Sequence, residues 1–173
     1  MKRFVLILFL ILAFQGVSYA LDAKIGYVDL QKALNESEGG KRAKSSLEEI
    51  IKAKQKIIDE RGAEIEKLKS EIDKQASLLS ADALKKKQDE LDRKIREYKR
   101  FVQDSQEEVK KKEAELTKEI LKDLVKVVQE IGKEENYTII LEKAQGLILY
   151  ADSAIDLTDK VIKRYNEEIK TKK

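Results

Sequence analysis

The sequence has no cysteine, no histidine, no proline and no tryptophan. Each absence closes a class of explanation. Without Cys no disulfide can hold the chain in an oxidising compartment, so packing or assembly must do it. A lipidated cysteine at a processed N-terminus is excluded for the same reason. Without His and Cys, Ser-His and Cys-His nucleophile systems cannot be built, nor can HExxH or CxxC zinc sites. Gly39-Gly40-Lys41 lacks the earlier Gly and the following Ser or Thr of a phosphate-binding loop. The paired acids Glu48-Glu49 and Glu107-Glu108 are ordinary at this charge density and carry no catalytic specificity. No enzyme activity, cofactor or metal is expected. The lack of Pro has the opposite sense, since it permits very long unbroken helices.

What the chain has instead is charge. Charged residues make up 40% of it, against about 25% in ordinary globular domains. That leaves little apolar surface per residue, and a single large core is not expected. The first residues stand apart. Met1-Lys2-Arg3 is a basic start, and "FVLILFLILAF", Phe4 to Phe14, is an uninterrupted apolar run. Ser18-Tyr19-Ala20 then places small residues where a signal peptidase needs them, with cleavage after Ala20. A membrane anchor is the competing reading, but a spanning helix needs about 20 apolar residues and this run is shorter. The mature chain is expected to start at Leu21 and to be exported. It keeps 34 of the 36 basic residues against 33 acids, a net charge of about +1.

Three zones follow. In "KIGYVDLQKALNESEGG", Lys24 to Gly40, Ile25, Tyr27 and Val28 read as a strand and Leu30 to Leu34 as a helical turn. Gly39-Gly40 is expected to break the pattern. From Lys41 to Gly132, apolar residues recur in alternating steps of four and three. In the first half the seam holds Leu47, Ile51, Ile58, Ile65, Leu68, Ile72 and Leu79, with Lys54, Arg61 and Gln75 as polar exceptions. In the second it holds Leu84, Leu91, Ile95, Tyr98, Val102, Val109 and Leu116, with Gln88, Ser105 and Lys112 as exceptions. A period of 3.5 sustained this long is a coiled-coil seam. The halves meet at "SLLSADALKKK", where Ser80 can cap a second helix beginning at Ala81. Equal seams around a short break predict an antiparallel hairpin, each arm roughly 50 Å long at about 1.5 Å per residue. One continuous rod is the alternative. After Leu116 the spacing shifts to Ile120, Leu124, Val128 and Ile131, and Leu121, Val125 and Val127 widen the stripe. The base of the hairpin should therefore be buried against something.

The third zone is "NYTIILEKAQGLILYADSAIDLTDKVIKRYN", Asn136 to Asn166. Tyr137–Leu141 and Leu147–Tyr150 read as strands joined by "EKAQG". Leu157, Val161, Ile162 and Tyr165 form one face of a closing helix with Asp156 or Thr158 at its start. The N- and C-terminal strands bracket the hairpin and can pair at its base. Such a base is too small to be comfortable alone, and its open strand edges invite pairing with other copies. The expected fold is α+β, mostly α: a small β body with a long antiparallel helical-hairpin coiled-coil arm. The body comprises 21–40 and 133–173, the arm 41–132. Ile25, Tyr27, Ile139, Leu141, Leu147 and Leu149 are the expected oligomerisation residues.

The pattern resembles the Skp/OmpH family of periplasmic chaperones. The resemblance is carried by "AKIGYVDLQKAL" after the signal peptide, by the charged hairpin, and most specifically by "ADSAIDLTDKVIKRYN". It covers the chain from Lys24 to about Ile169. It implies a homotrimer with a shared barrel-like β body. Three hairpin arms would enclose a cavity that holds unfolded outer-membrane proteins during transit across the periplasm, without ATP. A lipopolysaccharide-binding cluster of basic residues has been proposed within the family. No residues here match it one for one, so none is assigned.

The arm chemistry fits weak, many-point binding of unfolded chains. Residues 82–100 carry a net charge of +3 and residues 101–135 a net of −3. A basic distal stretch, centred on Lys85, Lys86 and Lys87, could draw in acidic clients or approach an anionic membrane surface. A solvated helix face explains the same lysines. Ile50, Ile57, Leu78 and Phe101 lie off the seam as candidate client-facing residues, and helix packing explains them equally well. A structural or adaptor coiled coil of the envelope is the main alternative function. Nucleic acid is not an expected partner: the signal peptide and a net charge near +1 argue against it, because such affinity comes largely from net basic surface. The glycosylation-like triplets Asn35-Glu36-Ser37 and Asn136-Tyr137-Thr138 have no bearing in a bacterial periplasm.

Overall fold

The computed structural model describes residues 23–144 and 147–171. The signal-like segment and its cleavage point lie outside the described residues. Strand β1 (Ile25–Val28) leads into a short helix α1 (Leu30–Glu36). Two long helices follow, α2 (Glu38–Gln75) and α3 (Ala81–Glu134). Strand β2 (Ile139–Glu142), a 3-10 turn (Ser153–Ile155) and helix α4 (Thr158–Thr171) complete the chain.

Each helix start is chemically marked. Asp29 caps α1 by accepting the Lys32 N–H at 2.8 Å. Ser37 ends α1 and caps α2, accepting the Gly40 N–H at 3.1 Å. Ser80 caps α3 through the Ala83 N–H, as its place before Ala81 predicts. The break expected at Gly39-Gly40 is instead at Ser37, and both glycines lie in the first turn of α2. They are there for close approach. A Cβ on Gly40 would collide with the Leu34 carbonyl oxygen, and one on Gly39 with the Tyr165 ring and hydroxyl. Loss of the two side chains lets α2 start tightly against α1 and α4.

Helices α2 and α3 run antiparallel. Lys54 pairs with Glu108, and Lys94 pairs with Glu64 at 3.2 Å, so residue numbers rise on one helix as they fall on the other. The chain therefore forms a hairpin and not a continuous rod. Away from the base this pair buries only Ile72 and Ser105 outright; the other apolar seam residues except Ile51 are half-buried, as two helices alone must leave them. Ile51, assigned to the seam, is 45% exposed, while its neighbour Ile50 is half-buried. A 3.6-residue helix drifts by about 20° per heptad against a strict 3.5 repeat, and near the base the contact line has moved by one residue.

The core lies at the base. Ile120, Leu124, Val127 and Ile131 of α3 meet Val28, Ala33, Leu157, Val161 and Tyr165. Val127, not Val128, takes the inward position, and Val125 stays exposed. Full burial of side chains such as Leu124 and Val161 stabilises by roughly 1.5–3 kcal/mol each. The expected apolar base of the hairpin is thus covered by α1, β1 and α4.

Strands β1 and β2 pair in parallel, with Ile25 opposite Ile139 and Val28 opposite Glu142. The whole hairpin is their crossover. On its other side β1 bridges to Asp156, and the Leu157 N–H donates to the Tyr27 carbonyl at 2.8 Å. β2 begins at Ile139 because the residues before it finish α3. Asn136 takes φ 56°, and the Tyr137 N–H reaches the Gly132 carbonyl at 2.9 Å. This is a left-handed helix terminus, a conformation that Asn tolerates better than most residues. The strand expected over Leu147–Tyr150 does not form. Both edges of β1 are occupied, by β2 and by the Asp156 segment, and among the described residues the 147–150 stretch pairs with neither strand.

Candidate functional surfaces

The residues expected at the body fall into two groups. Tyr27 is buried within its own chain, its hydroxyl beside Asp156. Burial and that carboxylate push the phenol pKa upward. Burial works against the Asp156 carboxylate, but hydrogen bonds from Thr158 and Tyr27 outweigh it and hold its pKa below the usual range. Tyr27 is therefore an internal packing residue here, not an open surface. Ile25, Ile139, Leu141, Leu147 and Leu149 are all exposed, Leu149 almost completely at 94%. Tyr150 joins them. Ile25 and Ile139 sit opposite each other on β1 and β2, Leu141 lies two residues further along β2, and Leu147, Leu149 and Tyr150 lie beyond the strand.

The candidate arm residues are spread along the hairpin. Lys85 and Lys86 are exposed near the tip, and Lys87 is half-buried. Leu78 stands out at the turn, 83% exposed. Ile57 is exposed and Ile50 half-buried, both on α2. Phe101 is not a free apolar surface. The Arg61 guanidinium lies 4.1 Å from its ring centroid and Lys54 Nζ 6.0 Å from it. Two polar exceptions of the seam thus converge on one aromatic ring, a cation–π arrangement. No sequence pattern signalled it, because Phe101 sits off the seam.

Two further features were also missed. Where the hairpin meets α1, a groove of about 670 Å³ opens between Leu34, Ala43 and Leu47 on one side and Leu116, Thr117 and Ile120 on the other. At the C-terminal end of α3 a band of ion pairs ties the base together. Lys160 Nζ lies 2.8 Å from Glu135, Lys24 Nζ 3.6 Å from it, and Arg164 3.0 Å from Glu134. The hydrogen bond from Lys160 leads in lowering the Glu135 pKa, with help from Lys24, and Glu135 raises that of Lys160. Lys24 also rests 4.0 Å over the Tyr137 ring. These partners are remote in sequence, so no local spacing could reveal them.

Among the described residues, no group of three or more acids could hold a metal ion, and no helix is long and apolar enough to cross a membrane. The geometry defines a helical-hairpin protein built on a small mixed base whose two strands are joined by the hairpin itself. The chain belongs to the OmpH-like outer membrane protein family, whose model matches residues 24–165. The fold is also that of a crystal structure from Caulobacter crescentus, described as an OmpH-like candidate outer membrane chaperone. The two match with a TM-score of 0.80 over 86% of each chain, at 20% sequence identity. No curated protein matches the chain.

Proposed function

We propose that this protein is an ATP-independent periplasmic holdase. It binds unfolded outer-membrane proteins and keeps them from aggregating on the way to the outer membrane. The observation that carries this reading is the pairing of α2 and α3, which bury only Ile72 and Ser105 beyond the base. Such a pair presents many small, half-exposed apolar contacts between charged side chains. That surface suits weak, multipoint binding of many unfolded sequences, with release that needs no fuel. Membership of a family related to outer-membrane chaperones supports the same reading.

In this reading the signal peptide is removed after Ala20 and the mature chain works as a homo-oligomer, three copies by family resemblance. Residues 21–40 and 133–173 form the shared body, and 41–132 a coiled-coil arm. The exposure of Ile25, Ile139, Leu141, Leu147 and Leu149 supports pooling of sheets between copies, because an open apolar strand edge favours pairing. Lys85, Lys86 and Lys87, with Leu78 at the turn, meet clients or an anionic surface of membrane or lipopolysaccharide.

The test uses the mature chain from Leu21. Light scattering gives its mass. A urea-denatured outer-membrane β-barrel protein is then diluted into it without nucleotide. An oligomer that suppresses aggregation at near one oligomer per client is the expected result. An oligomer without that effect rejects the holdase and leaves a structural coiled coil of the envelope.

A further inference from the structure

We infer that the hairpin carries a built-in bending point at mid-length, where Lys54–Gly62 of α2 faces Tyr98–Glu108 of α3. Several independent departures from good helix packing gather in that one stretch. Gly62 sits inside a 38-residue helix, where glycine loosens the backbone. Packing does not require it: a Cβ there would meet Tyr98 no closer than 3.9 Å, an ordinary contact. On the facing helix Ser105 occupies a seam position at 4% exposure, and its Oγ has no hydrogen-bond partner among the described residues. Kinks in long helices occur at Gly and Ser positions more readily than at aliphatic ones.

Beside Ile58, Tyr98 and Val102, the polar seam positions here make soft contacts. Arg61 stacks on Phe101 and Lys54 pairs with Glu108. A guanidinium over a ring and a single ion pair both tolerate sliding and rotation, whereas a side chain seated between four others does not. A cleft of about 320 Å³ beside Arg61, Ile65 and Tyr98 leaves room for the movement. The flanks are different. Towards the tip, Ile65, Leu68 and buried Ile72 continue a regular apolar seam with the facing helix. Towards the base lies the core around Leu124. The distal segment, about 20 Å of α2 beyond Gly62 at 1.5 Å per residue, therefore swings as one unit on the basal segment. The bend is placed by these residues and does not depend on what the arm binds.

The absence of native cysteine makes the test direct. Spin labels are placed on the mature, assembled chain at Lys163→Cys in α4 and Lys67→Cys beyond the bend. A control pair joins Lys163→Cys to Lys111→Cys on the basal side. Labelled chains are diluted with unlabelled ones, so that only distances within one chain are read. The distribution to position 67 is expected to be about twofold wider than the control, and Gly62→Ala with Ser105→Ala to narrow it to the control width. The same two substitutions should slow amide exchange over residues 98–108 about tenfold. Alanine raises helix propensity at both sites, so the variant keeps its fold. Equal widths in the parent chain, or a width and exchange rate unchanged by the substitutions, overturn the inference.

Discussion

The hydroxyl oxygen of Thr158 accepts the backbone N–H of Asp29 at 2.9 Å, a bond between residues 129 apart in sequence. Thr158 is fully buried, so water cannot replace the bond. Thr158→Val keeps the shape but removes the acceptor of the part-buried Asp29 N–H, together with the hydroxyl that hydrogen-bonds Asp156. The expected cost is about 1–3 kcal/mol. It should appear as a lower urea midpoint with an unchanged slope. An unaltered midpoint would show that the bond contributes nothing.

Ile139 separates folding from assembly. It is half exposed in the single chain, so Ile139→Asp leaves the core around Leu124 and Val161 untouched. In an oligomer that covers the β2 edge, the same change buries an unpaired charge. The expected result is a helical, monomeric protein by circular dichroism and light scattering. An intact oligomer rejects the edge as the assembly surface.

The basic stretch near the tip is tested by charge removal. Replacing Lys85, Lys86 and Lys87 with Gln should weaken capture of a denatured client at low salt, and the difference should fade as salt is raised. Unchanged affinity at low salt assigns these lysines to solvation alone.

The base should respond to acid through Glu135. Its pKa is depressed in the folded state, chiefly by Lys160. A group depressed on folding stabilises above its unfolded pKa of about 4.3, and that contribution disappears as pH falls through the folded value. Glu135→Gln should therefore lower the melting temperature at pH 7 and make little difference near pH 2. A deficit that persists undiminished at pH 2 would point to lost packing instead of lost charge.

Much of this architecture was legible because it is local. Ser80 before Ala81, the paired seams, and Leu157, Val161 and Tyr165 on one face each depend on residues a turn or two apart. The strand at Leu147–Tyr150 was misread because alternation shows that a segment can pair, while its partner must come from elsewhere. Gly39-Gly40 read as a break because glycine's usual role is conformational. Here it is steric, and the residues that require it, Leu34 and Tyr165, cannot be inferred from neighbours. The cluster of Arg61, Lys54 and Phe101 escaped for a related reason. A heptad register marks a polar seam residue as a defect and does not say which ring it finds across the groove. The exposure of Ile139 follows its place on a short two-stranded sheet, whereas the burial of Tyr27 depends on the distant Asp156–Leu157 segment, which strand alternation does not reveal.

The parallel pairing of β1 with β2 has a consequence for the order of folding. Residue 25 meets residue 139, so β1 has no β2 mate until most of the polypeptide has been made. Closing so long a loop by random search is slow, because contacts of large sequence separation carry the full entropic cost of closure. The two long helices remove that obstacle. They can zip from the Ser80 turn outward through contacts between near neighbours, each step drawing the distant ends nearer. When the zipper reaches Ile120 and Leu124, β1 and β2 are already side by side. The element that reaches furthest from the base is thus also what assembles it, and weakening the turn should delay the sheet more than it destabilises it.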